Sequence, residues 1–195
     1  MPMAERTYLT MAALGTDQPG LVRVVSRYVA ARRGNIEDSR MVSLGGVCGL
    51  MLLVSADAAS AKSLVEDAEE LEREAEVRVL IQGAHEPDSK GIHGVGALWS
   101  VTASAVDREG LIVDIADAVR AIGGNIVELD TTTYQAVPDG AQMFELKMTV
   151  ALRAAGEVGR MKDALSAIAF EHRIVLDIKP AERSATKASG LTLMP

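Results

Sequence analysis

The feature that most constrains this chain of 195 residues is an internal repeat. The stretch DQPGLVRVVSRYVAARRGNI begins at Asp17, and the stretch DREGLIVDIADAVRAIGGNI begins 90 positions later, at Asp107. Both copies keep the same small frame of polar and glycine residues: Asp17 and Asp107, Gly20 and Gly110, and Asn35 and Asn125. The length suits two domains of roughly 80 to 90 residues each. We therefore predict that one module was duplicated in tandem. We also expect each copy to fold with its capped helix start facing the beginning of a neighbouring strand, so that Asp17 lies near Asn35 and Asp107 near Asn125.

The first copy is predicted to begin with a strand and a helix. Residues 7–14, TYLTMAAL, form an apolar run of strand length that ends at GTDQPG. Asp17 is a good N-cap for the helix that follows. Apolar residues of this helix recur at helical spacing: Leu21, Val24, Val25, Tyr28 and Ala31. Gly34 and Asn35 are typical of a helix end, where a left-handed residue is favoured.

A hairpin, a second helix and a last strand are predicted to complete the copy. Residues 36–44 alternate in part, the glycines at 45–46 are typical of a hairpin turn, and VCGLMLLVSA is the return strand. Ser60 is expected to cap the second helix. The apolar stripe of that helix is Leu64, Val65, Ala68 and Leu71. Residues 75–82 alternate cleanly, as a half-buried strand does.

The second half of the chain repeats this order, with Asp107 expected to cap its first helix, so the fold class is α+β. We predict two tandem ferredoxin-like βαββαβ domains, at residues 6–82 and 95–180, each an antiparallel sheet with helices on one face. The glycine-rich stretch 83–94 is expected to link them, and residues 181–195 to form a tail. The uncovered face of each sheet then needs a partner or must tolerate water.

The order of strand, DQPGL or DREGL, helix, and RGNI or GGNI resembles the ACT domain family of small-molecule regulatory modules. The resemblance covers residues 6–180, and the tandem layout is similar to that of the glycine cleavage system transcriptional repressor group. It implies that an amino-acid effector sits at an interface between two modules, against the loop after the first strand and the start of the second strand. The ligand-binding residues that this resemblance implies are Asp17, Gly20, Leu21, Asn35 and Ile36 in the first copy and Asp107, Gly110, Leu111, Asn125 and Ile126 in the second.

The frame is chemically matched to a free amino acid. A helix N-terminus offers unpaired N–H groups and a positive dipole end to a carboxylate, and a glycine there lets the backbone approach closely. An Asp side chain accepts from an ammonium group, and an Asn side chain both donates and accepts. Taken singly, the same residues are explained as structural caps of helices. The second copy has Glu109 where the first has Pro19, and the added negative charge makes the first copy the stronger candidate.

Composition argues against several other kinds of function. The net charge of −7 opposes a phosphate backbone, and an aromatic content of 3% offers little for base stacking, so no direct nucleic-acid binding is expected. No apolar run approaches the ~20 residues of a membrane helix, and the start MPMAERTY lacks the apolar region of a secretory signal. The single cysteine, Cys48, fits a reducing compartment, so we expect a cytoplasmic protein with no membrane association.

No catalytic, metal or cofactor site is predicted. The sequence offers no nucleophile–base pair and no phosphate-binding loop. The three histidines, His85, His93 and His172, stand at no usual ligand spacing. The leading hypothesis is a non-enzymatic regulatory homodimer that senses an amino acid, with glycine or serine as candidates, and signals to a protein partner. The alternative is a regulatory subunit of an enzyme of amino-acid metabolism.

Overall fold

The alternating and helical patterns of the two copies produce the same sheet twice. The chain divides into two units, residues 1–89 and residues 90–195. Each unit holds a four-stranded antiparallel sheet with helices on one face. The computed structural model describes residues 6–86, 97–137, 140–154 and 156–181.

The described residues of the first unit form four strands and three helices. In chain order these are β1 (Thr7–Thr16), α1 (Leu21–Ala31), β2 (Asn35–Leu44), β3 (Val47–Ala56), α2 (Ala58–Glu66), α3 (Ala68–Ala75) and β4 (Val77–Ala84). The strand order in the sheet is β2-β3-β1-β4, so β2 and β4 are its edges. The predicted hairpin turn is confirmed, since Gly45 and Gly46 both take a positive φ, as a two-residue turn of this hand requires.

The second unit repeats the arrangement with a single long second helix. Its described elements are β5 (Ala97–Val106), α4 (Leu111–Ala121), β6 (Asn125–Gln135), β7 (Gln142–Leu152), α5 (Glu157–His172) and β8 (Val175–Pro180). The strand order is β6-β7-β5-β8, which is the order of the first unit. The predicted fold of two tandem ferredoxin-like domains is therefore confirmed.

Alternate side chains of the strands and one stripe of each helix build the two cores. The central strand β3 buries every second side chain against the helices: Cys48, Leu50, Leu52, Val54 and Ala56. The strand β7 does the same with Phe144, Leu146, Met148, Val150 and Leu152. The helix α1 contributes Leu21, Val25, Tyr28 and Val29. Among the residues that the structure describes, no helix of either unit lies on the sheet face opposite its own helices.

The prediction that Asp17 and Asp107 cap the first helix of each unit is wrong. The N-cap residues of α1 and α4 are Gly20 and Gly110, both left-handed and without a side-chain cap. The aspartates are still held by the sheet, because the Asp17 N–H donates to Gly46 O at 3.0 Å. Asp107 is held in the same way in the second unit. Each helix consequently begins one turn later than predicted.

The prediction for the helix ends is also corrected. The left-handed residues are Arg33, with φ 55°, and Gly123, with φ 78°. Gly34 has another reason to be glycine, since a Cβ there would lie 2.8 Å from Val29 Cγ1 and 3.1 Å from Val54 Cγ1. Asn35 and its counterpart are not caps, because they are the first residues of β2 and β6.

The second helix of the first unit differs from prediction in three details. Asp57 caps α2, since its Oδ1 accepts from the Ser60 N–H at 2.8 Å, so the prediction of Ser60 as the cap is wrong. The predicted helix is divided at Asp67, where α2 ends and α3 begins. Val65 is 48% exposed and does not belong to the buried stripe.

The boundaries of the predicted linker and tail are only partly covered. Strand β4 includes Gly83 and Ala84, which had been assigned to the linker. The part of the linker from residue 87 onwards, with His93, lies outside the described residues, as does the tail from residue 182.

Candidate functional site

The frame of Asp17, Gly20 and Asn35 is not assembled within one unit. Asp17 lies at the far end of β2, where its Oδ2 accepts from Ser43 Oγ at 2.6 Å. Asn35 is the first residue of β2, and eight steps of extended chain separate it from Ser43. At about 3.3 Å per residue, this distance is roughly 25 Å. The expectation that each helix start lies against the start of the next strand of the same unit is therefore wrong.

The direction of the strands explains this separation. β1 and β2 both run antiparallel to β3, so they start at the same end of the sheet, while α1 starts where β1 ends. The start of the helix and the start of the next strand then lie at opposite ends. The second unit repeats this arrangement, since the Asp107 N–H donates to Gln142 O at 2.8 Å, whereas Asn125 pairs with Ala151 at the other end of β7.

One half of the candidate site, which we name the loop half, consists of residues 17–20 and the first turn of α1. It lines an open depression of about 420 Å³ together with Leu21, Val22 and Met41. No side chain caps α1, and its first turn carries no acidic residue, so the backbone N–H groups there have no cap partner. The positive end of the helix dipole is thus exposed beside the Asp17 carboxylate.

The other half, which we name the strand half, consists of Arg6, Asn35, Glu37 and Ser55. Strand β2 bulges at Glu37 and re-aims its side chain. Glu37 Oε1 accepts from Ser55 Oγ at 2.5 Å, from Asn35 Nδ2 at 3.0 Å and from Arg6 Nη1 at 3.3 Å. The hydrogen bond from Ser55, and after it the one from Asn35, lowers the pKa of Glu37, with the charge of Arg6 acting in the same direction against partial burial.

Four of the candidate residues are apolar, and their side chains build the cores. Leu21 and Leu111 are 3% and 2% exposed at the first helical position of each unit. Ile36 and Ile126 pack against the two cores from the edge strands. These buried side chains hold the backbone in place beside the loop half and the strand half. Leu21 in addition borders the depression.

In the second unit the loop is occupied by its own side chains. Arg108 Nη2 donates to Asp114 Oδ2 at 2.6 Å, and Arg108 Nη1 donates to Glu109 O at 3.0 Å. Asp114 lies in the first turn of α4, where a carboxylate already interacts with the helix dipole. His172 Nε2 lies 3.8 Å from the same Asp114 oxygen. An added carboxylate ligand would therefore compete with Asp114.

The strand half is also reduced in the second unit. Asn125 pairs with Ala151 as Asn35 pairs with Ser55, so the hydroxyl donor is absent at that position. Val127 stands at the β-bulge in place of Glu37. Within the described ranges, an open loop half and a carboxylate cluster like that around Glu37 occur together in the first unit and not in the second.

Sequence reasoning missed the partners that hold the frame in place. Glu37, Ser55 and Ser43 carried no signal as single residues, because each is an ordinary polar residue in a strand. A comparison of the two copies could have indicated these partners. The second copy has Val127 and Ala151 at the positions of Glu37 and Ser55, but it keeps the asparagine as Asn125.

Comparison with known proteins agrees with the fold and the repeat. The sequence model of the ACT domain family matches residues 7–82. The glycine cleavage system transcriptional repressor of Escherichia coli (strain K12) is 28% identical over 171 residues, which are 88% of each chain.

Two crystal structures share the fold over nearly their whole length. An unknown protein from Galdieria sulphuraria is 24% identical, with a TM-score of 0.79 over 91% of this chain and 100% of that one. A second structure, provisionally described as a glycine cleavage system transcriptional repressor, is 17% identical, with a TM-score of 0.68 over 91% of this chain and 98% of that one.

The family match of the first unit, the duplicated βαββαβ unit and the shared fold define the class of protein that this chain is similar to, the tandem ACT-domain proteins. Within that class it resembles the glycine cleavage system transcriptional repressors. In the part of the chain that the structure describes, no helix is both long and apolar enough to cross a membrane.

Proposed function

We propose that this protein is a non-enzymatic regulator that binds a free amino acid, with glycine and serine as the first candidates, and transmits the bound state to a protein partner. The observation that supports this most directly is the loop half of the first unit. It combines an uncapped helix start, a glycine with φ 97° and the Asp17 carboxylate around one open depression. A zwitterion needs both signs of charge within a few ångströms, and this loop offers both.

The site is completed by the strand half of a second module. Strand β2 is an edge of its sheet, and nearly all of its side chains are exposed, so its outer edge is open to another strand. If two copies pair antiparallel through their β2 edges, the start of one β2 lies beside the end of the other. Asn35 of one copy then lies close to Asp17 of its partner, although the two residues are remote within one unit.

The chemistry of each contact follows from this pairing. The effector carboxylate accepts from the N–H groups of the first turn of α1, and its ammonium group donates to the Asp17 carboxylate. The Asn35 amide of the second copy closes the site from the other side and accepts or donates as the ligand requires. Val22 and Met41 border the depression with apolar surface, which favours a small or aliphatic side chain over a charged one.

A ligand held between two modules favours the paired arrangement by the difference in its affinity for the two states. A protein partner that distinguishes the paired from the unpaired surface then receives the signal. The net charge of −7 favours a protein partner over a nucleic acid as the recipient. Affinity capture from an extract with and without glycine tests this step, and a captured set that does not depend on the amino acid would count against it.

The binding proposal is tested by thermal unfolding with each common amino acid in turn. A ligand at 100 times its Kd raises the free energy of unfolding by about 2.7 kcal/mol, which is a clear shift of the midpoint. We expect glycine or serine to produce it, and Asp17→Ala to remove it. Ser43→Ala is the matched control, because it removes the partner of Asp17 but leaves the carboxylate. No shift with any amino acid, or an unchanged shift in Asp17→Ala, would refute the site.

A further inference from the structure

The first unit carries an exposed apolar patch on the sheet face opposite its helices, which we name the open face. The register places Leu14, Gly49 and Val42 side by side across β1, β3 and β2, and Met51 and Leu80 on either side of Ala12. The large apolar side chains of this patch are each 44–71% exposed: Leu14, Val42, Leu44, Val47, Met51 and Leu80. Monomeric proteins rarely leave a contiguous patch of this kind in water without an interaction that uses it.

The second unit shows that the fold does not require an apolar open face. Four of the six apolar positions hold polar residues there, and Leu44 and Val47 correspond to Tyr134 and Met143. Ser104 pairs with Glu145 where Leu14 pairs with Gly49. Thr102 lies between Lys147 and Asp177 where Ala12 lies between Met51 and Leu80. At the position of Val42, the second unit has Thr132. The apolar character of Leu14, Val42, Met51 and Leu80 therefore belongs to the first unit specifically and has a cause other than folding.

The size of the open face matches what a pair of identical sheets needs. Four strands spaced about 4.8 Å apart, over roughly nine residues of about 3.3 Å each, give a footprint near 600 Å² per copy. Two such faces bury on the order of 1,200 Å², which reaches the lower bound of stable protein–protein interfaces. A central surface this poor in charge is characteristic of interfaces between identical subunits.

The surface shape of the patch is also compatible with packing against the same patch of a second copy. Gly49 lies at its centre, and a Cβ there would lie 3.6 Å from Val42 Cγ1 and 3.7 Å from Leu14 Cδ1. Because Gly49 has no side chain, a notch remains between the side chains of Leu14 and Val42. Met51 lies two residues along the same strand, and a methionine side chain is flexible enough to fill an irregular gap. The charged residues of the face lie on its two edge strands, with Asp38 and Arg40 on β2 and Arg78 on β4. Both signs are present, so an inverted copy is not opposed by a single sign of charge.

We propose that the open face of the first unit packs against the open face of the first unit of a second copy, about a two-fold axis. The contact uses the face of the sheet and leaves the edge strand β2 free. It is therefore separate from the edge pairing that completes the effector site. A chain that forms both contacts assembles as four copies, and a chain that forms only the face contact assembles as two.

The test transfers residues of the second unit to the first. Met51→Lys with Leu80→Asp installs the side chains that occupy the same register positions in the second sheet, at sites that are already exposed. Val65→Lys is the matched control, because Val65 is a comparably exposed apolar residue of the same unit on α2. Sedimentation velocity at tens of micromolar measures the mass, and circular dichroism confirms that each variant is folded. We expect the double variant to have half the mass of the wild-type assembly and Val65→Lys to keep the full mass.

If the double variant Met51→Lys with Leu80→Asp fails to fold, the milder double variant Leu14→Ser with Val42→Thr replaces it. We expect this variant to weaken association at least tenfold. A monomeric wild-type chain would overturn the proposal, as would folded face variants that keep the wild-type mass. The glycine-induced thermal shift is followed in parallel. If the face variants lose association but keep the glycine-induced thermal shift, the face contact is supported and the effector site is intact. If the face variants keep the wild-type mass but lose the thermal shift, the face contact alone is refuted.

Discussion

Asp17 and Asn35 lie at opposite ends of strand β2, with Asp17 bound to Ser43 Oγ at 2.6 Å and Asn35 at the first position of the strand. The repeat in the sequence places these residues 18 positions apart in both copies, which suggests one compact site per copy. The topology instead gives each unit two separate halves. Only a second module can bring a loop half and a strand half together, so the proposed ligand site depends on assembly.

The two units are expected to differ in binding, with one effector per chain. The loop half of the first unit is open, whereas the second is occupied by the Arg108–Asp114 ion pair. We expect calorimetric titration with glycine to give one site per chain. Asp17→Ala should lower the affinity at least tenfold, which is about 1.4 kcal/mol, while Asp107→Ala should change it less than twofold. Two equivalent sites per chain, or equal losses in both variants, would be inconsistent with this asymmetry.

Gly34 is expected to be required for packing rather than for binding. A Cβ at Gly34 would lie 2.8 Å from Val29 Cγ1, closer than such contacts allow. We expect Gly34→Ala to lower the free energy of unfolding by about 1–3 kcal/mol, as overpacked core positions do. Urea denaturation measures this. Gly83→Ala is the control, because no atom lies within 4 Å of a Cβ built there, and equal stability of the two variants would show that the contact relaxes without cost.

Glu37 is expected to make the stability of the protein depend on pH in the acid range. Its pKa in the folded state is lowered below the ordinary 4.5, first by the hydrogen bond from Ser55 and next by that from Asn35. A carboxyl with a lowered folded pKa contributes stability above its unfolded pKa and loses it as the pH falls through the folded value. The difference in free energy of unfolding between wild type and Glu37→Gln should thus be present at pH 7 and shrink below about pH 4.5.

Urea denaturation at several pH values between 3 and 7 measures this difference. Glu69→Gln is the matched control, since the Glu69 side chain is 85% exposed and pairs with Arg73 at the surface. We expect that control to show little change with pH. A difference for Glu37→Gln that stays constant over the whole range would mean that the cluster around Glu37 does not act through its charge.

The order of strands and helices was predictable, because the signals for it are local. The apolar run VCGLMLLVSA and the pair Gly45–Gly46 indicate a strand and a turn without reference to the rest of the chain. Asp17 misled the prediction of the cap, because its backbone N–H extends the sheet to Gly46 and competes with a helical role. The division of the helix at Asp67 has no comparable signal in the sequence.

The arrangement of the site was less accessible to sequence reasoning than the fold. The separation of Asp17 from Asn35 follows from the directions of β1, α1 and β2, and was in principle derivable once that order was accepted. The cluster around Glu37 depends on a β-bulge, which no residue in IEDSRMVSL marks. The open face was hidden for a simpler reason, since β1 reads as apolar on both of its faces.

The measurement that tests the two-module site most directly is complementation between two variants that each lack one half. If two copies share the site, Asp17→Ala and Asn35→Ala each remove one residue from both sites of a pair. A mixed pair of the two variants then contains one site with Asp17 from one copy and Asn35 from the other, both native.

We expect each variant alone to show no glycine-induced thermal shift and no calorimetric binding. After co-expression, random association should restore about one quarter of the wild-type sites, which titration with glycine counts directly. A mixture that binds no more glycine than its components, or a single variant that binds like the wild type, would contradict a site shared between two copies.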